Sequence, residues 1–293
     1  VKSKIKVFSV LIMLAMLVMV SGCTDQDTTG DTGTEETKEA TIGYVLWDGE
    51  IASTNVMKLV LEDAGYDVEI IAVDAGALYQ GLADSQFDFT TSAWLPLTQK
   101  NYWETYGEDI DSVAVNLEDC RIGLVVPEYV TIDSIDELNA NKEQFNGEII
   151  GIDPGAGIMS TTETAIEEYE LDYDLVASSG AGMTANLKSS INDEEWTVVT
   201  LWSPHWTFNT FDLKYLEDPE GVYGEADHVE TLARVGLAED DPELYGIISR
   251  FQWTHEDIQS VMAGLTDGLS EEEAAQKWID ANPEKVNEWI GAE

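Results

Sequence analysis

Three tryptophans stand where short apolar or alternating runs stop. Tyr44-Val45-Leu46-Trp47 is one such run, and Phe87-Asp88-Phe89-Thr90-Thr91-Ser92-Ala93-Trp94, followed by Leu95-Pro96, is another. Residues 197–201 deliver the third, Trp202, just ahead of Ser203-Pro204, which reads as a helix start. The carboxyl ends of strands are where open α/β sheets hold ligands. One indole at a strand end is ordinarily a core anchor, but three at the same kind of place point to a shared aromatic box. Such a box recognises quaternary ammonium best, because that cation cannot donate hydrogen bonds and is attracted to ring faces. Each desolvated indole contributes roughly 1–2 kcal/mol, so three supply about 3–6 kcal/mol before association costs. For a ligand of about eight heavy atoms, micromolar affinity near −8 kcal/mol lies within the ligand-efficiency ceiling.

A second feature complements the first. Asp153-Pro154-Gly155-Ala156-Gly157-Ile158-Met159-Ser160 joins a strand to a helix. Its glycines let the backbone approach a ligand, and the helix N-terminus offers unpaired N–H groups to an anion. Gly-x-Gly alone is equally a plain turn. No Gly-Lys-Ser/Thr follows it and the third glycine of a dinucleotide fingerprint is missing. Rings at one end and a helix N-terminus at the other would hold a zwitterion such as glycine betaine.

Other chemistries find little support. The three histidines, His205, His228 and His255, lie on unrelated segments, and no Gly-x-Ser-x-Gly elbow or metal-ligand spacing occurs. No cofactor is expected. Asp and Glu number 58 against 14 Lys and Arg, a net charge of −44, so a nucleic-acid partner is excluded and most carboxylates are read as a solvated surface. Apolar residues make up 44% of the chain, enough for a folded core.

Lys2, Lys4 and Lys6 precede an apolar run over 7–20 that fits a secretory signal and is too short for a stable membrane span. It closes on Val20-Ser21-Gly22-Cys23, which resembles a lipobox, so Cys23 is the expected lipidation site and residues 1–22 the signal peptide. Residues 23–40 read as a flexible tether. With Cys23 so used, Cys120 has no intrachain partner and reads as a small buried hydrophobe.

These side chains need elements to hold them. The pattern predicts strands over 42–47, 68–73, 87–93, 122–126, 148–152, 175–178 and 198–201. Between the first two, a helix capped by Ser53-Thr54 runs to Ala64-Gly65, which makes a parallel βαβ unit. Further helices are predicted over 78–85, 98–106, from Ser134 with Glu137 as a capping box, from the 153–160 joint through Tyr169, and over 183–191. Helical pattern then covers 241–251, 255–265 and 270–289. The tail helices are expected to pack back on the first lobe.

Tyr44 through Asn55, Ser92-Ala93-Trp94-Leu95-Pro96, Gly151 through Met159, and Leu201-Trp202-Ser203-Pro204-His205-Trp206 together resemble the glycine betaine substrate-binding proteins of ABC importers. The resemblance spans about 41–293. It implies an α/β, two-lobed, periplasmic-binding-protein-like (type II) fold with a ligand cleft between the lobes. Lobe 1 would comprise 41–126 and 213–293, and lobe 2 would comprise 127–212. It also implies a cage of Trp47, Trp94 and Trp202, with the ligand carboxylate on the backbone N–H groups of Gly157 and Ile158. Many members carry a His donor where this chain has Gln99. The implied protein is a monomeric, extracytoplasmic, non-enzymatic receptor, anchored to the membrane by lipid, that hands the compatible solute to a permease driven by an ATPase for osmoprotection. Receptors for choline, carnitine or proline betaine are alternatives, and a secreted carbohydrate-active hydrolase is a more distant one. The other six tryptophans, Trp103, Trp196, Trp206, Trp253, Trp278 and Trp289, are read as packing residues.

Overall fold

A computed structural model of the chain describes residues 38–291. The expected signal segment, Cys23 and nearly all of the tether lie outside the described residues. Strand β1 (Lys38–Tyr44) leads into helix α1 (Asp48–Asp63) and then β2 (Tyr66–Ala72), which runs parallel to β1 as the βαβ pattern requires. Strand β1 starts at Lys38, earlier than sequence suggested, because Lys38 and Glu39 already pair with Tyr66 and Asp67. Backbone pairing needs no apolar side chain. Helix α1 likewise starts at Asp48, well before the expected cap at Ser53-Thr54. Asp48 and Glu50 place carboxylates in its first turn, where the helix dipole favours them. Ser53 and Thr54 are instead buried within it, and Ser53 Oγ accepts a 2.8 Å hydrogen bond from Thr91 Oγ1.

Helix α2 (Ala75–Ala83), capped by the Asp74 side chain, returns the chain to β3 (Phe89–Leu95), parallel to β1. Helix α3 (Lys100–Tyr106) then precedes β4 (Ile110–Pro127). This 18-residue strand is the main departure from the sequence pattern, which revealed only 122–126. Its first half alternates as Val113, Val115 and Leu117, but register shifts around those residues break the period.

The second half of the chain adds β5 (Glu148–Ile150), α4 (Gly157–Glu168), β6 (Asp174–Val176), α5 (Gly180–Asp193), β7 (Val199–Ser203), α6 (Thr207–Thr210) and β8 (Leu213–Tyr215). Ser134 and Glu137 do form the capping box, around a single 3-10 turn, Ile135–Glu137. Ser203-Pro204 is a cis peptide, and the helix after it begins only at Thr207. Strand β9 (Asp227–Arg234), which no sequence pattern announced, lies between β3 and β4 and is antiparallel to both.

The resulting order is β2-β1-β3-β9-β4-β7-β5-β6, with β8 on the far end of β4. Strand β4 serves two sheets. Ile110 through Cys120 pair with β9, whereas Arg121 through Val125 pair with β7. Sequence alone placed lobe boundaries at 126/127 and 212/213. Strand pairing changes sheet at Cys120/Arg121, and β8 still belongs to the second sheet. Cys120 is a free thiol, wholly buried, with its pKa pushed up chiefly by that burial.

The chain ends in α7 (Leu237–Asp240), α8 (Pro242–Arg250), α9 (His255–Thr266), α10 (Glu271–Ala281) and α11 (Pro283–Ile290). The predicted helix over 270–289 is divided at Asn282-Pro283, since proline cannot donate to the preceding turn. Helix α1 packs against α9, α10 and α11, so the tail does return to the first sheet. Trp278 stacks on Trp289 at 5.5 Å and Phe251 meets Trp289 edge-on at 4.9 Å, which makes both tail tryptophans packing residues. Asp257 ties these helices together: it closes the capping box of α9 with Thr254 and pairs with Lys285 on α11.

Burial by itself would raise the Asp257 carboxyl, but the Lys285 and Thr254 hydrogen bonds outweigh it and hold its pKa below the usual value. A depressed carboxyl stabilises the fold above its unfolded pKa, about 3.9, and loses that contribution as pH falls through the folded value. Asp257→Asn should therefore cost about 1–2 kcal/mol in urea unfolding at neutral pH. The deficit should shrink as pH falls below about 3.9, where the unfolded chain takes up the proton that the folded carboxyl resists.

Candidate functional site

Trp47 is the residue on which β1 hands over to α1, Trp94 lies near the end of β3, and Trp202 lies near the end of β7. The structure brings all three together. With Thr98, Ile122, Ile152, Ala156, Gly157 and Ile158 they line one cavity that contains about 270 Å³ of empty space, part of it open to solvent. The indoles of Trp47 and Trp202 stand 6.4 Å apart and are inclined at 55°. Each of the three is at most 6% exposed.

Indole N–H groups are fixed by carboxylates. Trp47 Nε1 donates to Asp153 Oδ2 at 3.2 Å and Trp94 Nε1 donates to Glu50 Oε1 at 2.8 Å. Trp206 Nε1 donates to Asp48 Oδ2 at 2.7 Å, so this residue, read from sequence as packing, also makes a polar tie beside the cavity. His205 stacks edge-on against Trp202 at 4.9 Å, and its Nε2 lies 3.2 Å from the same Asp48 oxygen. Burial would raise the Asp48 carboxyl, but the hydrogen bond and charge of His205, with the Trp206 indole, outweigh it and lower its pKa. Glu50 is only 3% exposed, and this burial pushes its pKa up to about 7, against the lowering effect of Trp94.

Helix α4 presents its N-terminus to the cavity through Gly157 and Ile158. Its cap residue, Ala156, has no side-chain acceptor to offer, and no loop carbonyl among the described residues takes the N–H of Gly157 or Ile158. A Cβ on Gly157 would come within 1.9 Å of the Thr98 carbonyl oxygen, so only glycine permits this approach. Thr98 is held from the other side by Asp227, which accepts from the backbone N–H groups of Leu97 and Thr98 at 2.9 and 2.8 Å.

Gln99 does not line the cavity but stands behind it, 1% exposed. Its Oε1 accepts from the Trp94 backbone N–H at 2.8 Å and from Tyr79 OH at 2.9 Å. The same geometry fixes which end of the amide is oxygen, and leaves Nε2 buried with no partner among the described residues. Tyr102 OH donates to the Gly155 carbonyl at 2.7 Å, a further tie between the first-sheet side and the turn before α4. Glu50, Asp48, Asp153, Tyr102 and Asp227 were not singled out in the sequence, where carboxylates are too abundant to stand out. The nearest signal was the spacing of Asp48 and Glu50 directly after Trp47. Among the described residues no group of His, Cys, Asp and Glu could hold a metal ion, and no helix is long and apolar enough to cross a membrane.

Residues 38–281 match the family model described as the substrate-binding domain of the ABC-type glycine betaine transport system. The chain is 50% identical over 150 residues to the glycine betaine/carnitine transport binding protein GbuC of Listeria monocytogenes, a match covering half of each protein. It thus spans about half the length of that relative. Its fold superposes on lactococcal OpuAC, solved closed with glycine betaine, with a TM-score of 0.84 and 40% identity over 86% of this chain and 99% of that one. The glycine betaine/L-proline-binding protein ProX of Borrelia burgdorferi gives a TM-score of 0.84 and 40% identity, covering 86% and 97%. The architecture is accordingly the two-lobed type II fold expected from the motifs. A model matching nearly the whole described structure decides the family: the chain is a member of the substrate-binding domains of ABC-type glycine betaine transport systems, which are transport proteins and not enzymes.

Proposed function

We propose that this protein captures glycine betaine outside the cell and delivers it to the permease of an ABC importer. The trimethylammonium group sits among the faces of Trp47, Trp94 and Trp202, and the carboxylate meets the N–H groups of Gly157 and Ile158. The observation that carries this reading is the pairing of three indoles with an uncapped helix N-terminus on one cavity.

Choline has no carboxylate and makes no use of the α4 N–H groups, which favours betaines over choline. Carnitine and proline betaine keep the carboxylate and compete within the class. Gln99 is assigned as a further donor on the strength of its unpartnered Nε2. Strand pairing supports lobes that exchange near Cys120/Arg121 and again between Tyr215 and Asp227, with the cavity between them. The protein is proposed to act as a monomer, since one chain supplies every wall of the cavity. The Val20-Ser21-Gly22-Cys23 sequence supports a signal peptide over 1–22 and a lipid anchor on Cys23.

Titration of intrinsic fluorescence with glycine betaine, choline and carnitine tests the assignment, with micromolar betaine binding and weaker choline binding expected. Trp47→Ala, Trp94→Ala or Trp202→Ala should each weaken betaine by roughly 1–2 kcal/mol or more, while Trp278→Ala changes stability and leaves the affinity of folded protein alone. Undiminished binding by the three cage variants would remove the box from the site. Because a desolvated cation on ring faces is poorly screened, affinity should stay nearly constant from low to molar salt, and a steep loss would place the ligand on the acidic surface.

Gln99→Glu probes the donor. It keeps the acceptor for Trp94 and Tyr79 but replaces the amide donor with a second oxygen, so betaine should bind at least about tenfold more weakly while choline does not. Equal effects on both ligands would show that Gln99 only supports the backbone.

A further inference from the structure

Among the described residues, Glu50 on α1 is the buried carboxylate beside the cavity that has one oxygen unpartnered. Oε1 accepts from Trp94 Nε1 at 2.8 Å, whereas Oε2 is buried and has no partner among the described residues. Glu50 also lines a small space that adjoins the cage, together with Trp94, Trp202, Ser53, Thr91 and Asn116. An indole whose N–H is held by an anion has a more negative ring face, and an anion at the ring edge adds its own attraction for a cation on that face.

We infer that Glu50 is a positioning and specificity-determining residue of this site: its carboxylate orients Trp94, strengthens the hold of that ring on a quaternary ammonium, and releases part of that hold when protonated. The inference rests on the quaternary-ammonium reading above. It is supported by the surroundings of Glu50. The elements packed around it present Thr91 from β3, Asn116 and Leu117 from β4, Val229 from β9, Ile258 from α9, and Trp253, none of them charged. Titratable neighbours are Asp48 on the same helix, with His205 and Trp206 attached to it, and Cys120 on β4, whose raised thiol stays neutral. His205 pairs with Asp48 and not with Glu50, so among the described residues no basic group contacts Glu50, and a bound ammonium would be the positive charge nearest to it.

The direction of the effect follows from linkage. Burial holds the free-state carboxyl at about 7, and a cation bound nearby favours the ionised form and lowers that value. Affinity is therefore greatest above the free-state pKa, falls as pH drops through it, and levels off below the ligand-bound pKa. Binding near neutral pH releases a fraction of a proton.

Calorimetric titration of the full folded chain with glycine betaine between about pH 5.5 and pH 8.5 tests this. The parent should bind roughly three- to tenfold more weakly at the acid end, which corresponds to a ligand-induced shift of about half to one pKa unit. Measurements in buffers of different ionisation enthalpy should show proton release on binding near pH 7. Glu50→Gln keeps an acceptor for the Trp94 indole, and should bind at the parent's low-pH affinity across the range without proton release. A flat parent profile with no released proton overturns the inference even if that variant fails to fold. Persistence of the slope in Glu50→Gln also overturns it, by assigning the titration to another group such as His205. Absence of betaine binding at every pH overturns the underlying functional reading, and the inference with it.

Discussion

Strand β4 pairs with β9 through Cys120 and with β7 from Arg121 onward, so one continuous backbone fixes the register of two sheets against each other. The rest of the site depends on this constraint. Trp94 belongs to the first sheet, Trp202 to the second, and Ile122 on β4 itself lies between them on the cavity wall. A slip of one residue at the crossing would turn every following side chain to the opposite face. The register shifts near Leu117 and Cys120 adjust the strand where it changes partners.

Within that frame, polar groups determine how the rings are presented. Indoles are wide and could rotate about their side-chain bonds, but the N–H groups of Trp47, Trp94 and Trp206 each meet one carboxylate, from Asp153, Glu50 and Asp48. Two of these bonds, and that of Tyr102 to the Gly155 carbonyl, join the first-sheet side to the second. They are formed when the two sides are close, as are the contact of Gly157 with Thr98 and the cavity itself. Closing the site and orienting its rings are thus parts of one arrangement.

The large negative charge plays a different part inside than outside. On the surface, carboxylates are solvated and screened, and their mutual repulsion falls within about a Debye length. The few cations sit where they tie elements together, as Lys58 does with Glu62 and Glu272, Arg234 with Asp88 and Asp240, and Lys285 with Asp257. Near the cavity the carboxylates face indoles and a histidine instead, where low dielectric makes each one costly unless it is hydrogen-bonded or protonated.

Much of the site was legible in the sequence because its signals are local. Trp47, Trp94 and Trp202 follow strand patterns within a few residues, whereas the Gly157 turn, equally a plain turn by itself, was marked by the family motif around it. The βαβ start and the tail helices are local patterns too, and the family motifs fix the architecture. Tertiary structure alone decided the rest. The first half of β4 is a strand because β9 pairs along it, and β9 is one because β3 and β4 flank it, while register shifts and residues such as Glu230 and Thr231 hide their period. Gln99 was marked only by the resemblance, as the place of a His donor, and it is tertiary structure that buries it and directs Trp94 N–H and Tyr79 OH to its oxygen. Glu50 was one acid among 58, and its burial and the Trp94 N–H that donates to it distinguish it from the solvated ones. Which carboxylate holds which indole N–H depends on chain segments tens of residues apart, and no local spacing encodes that.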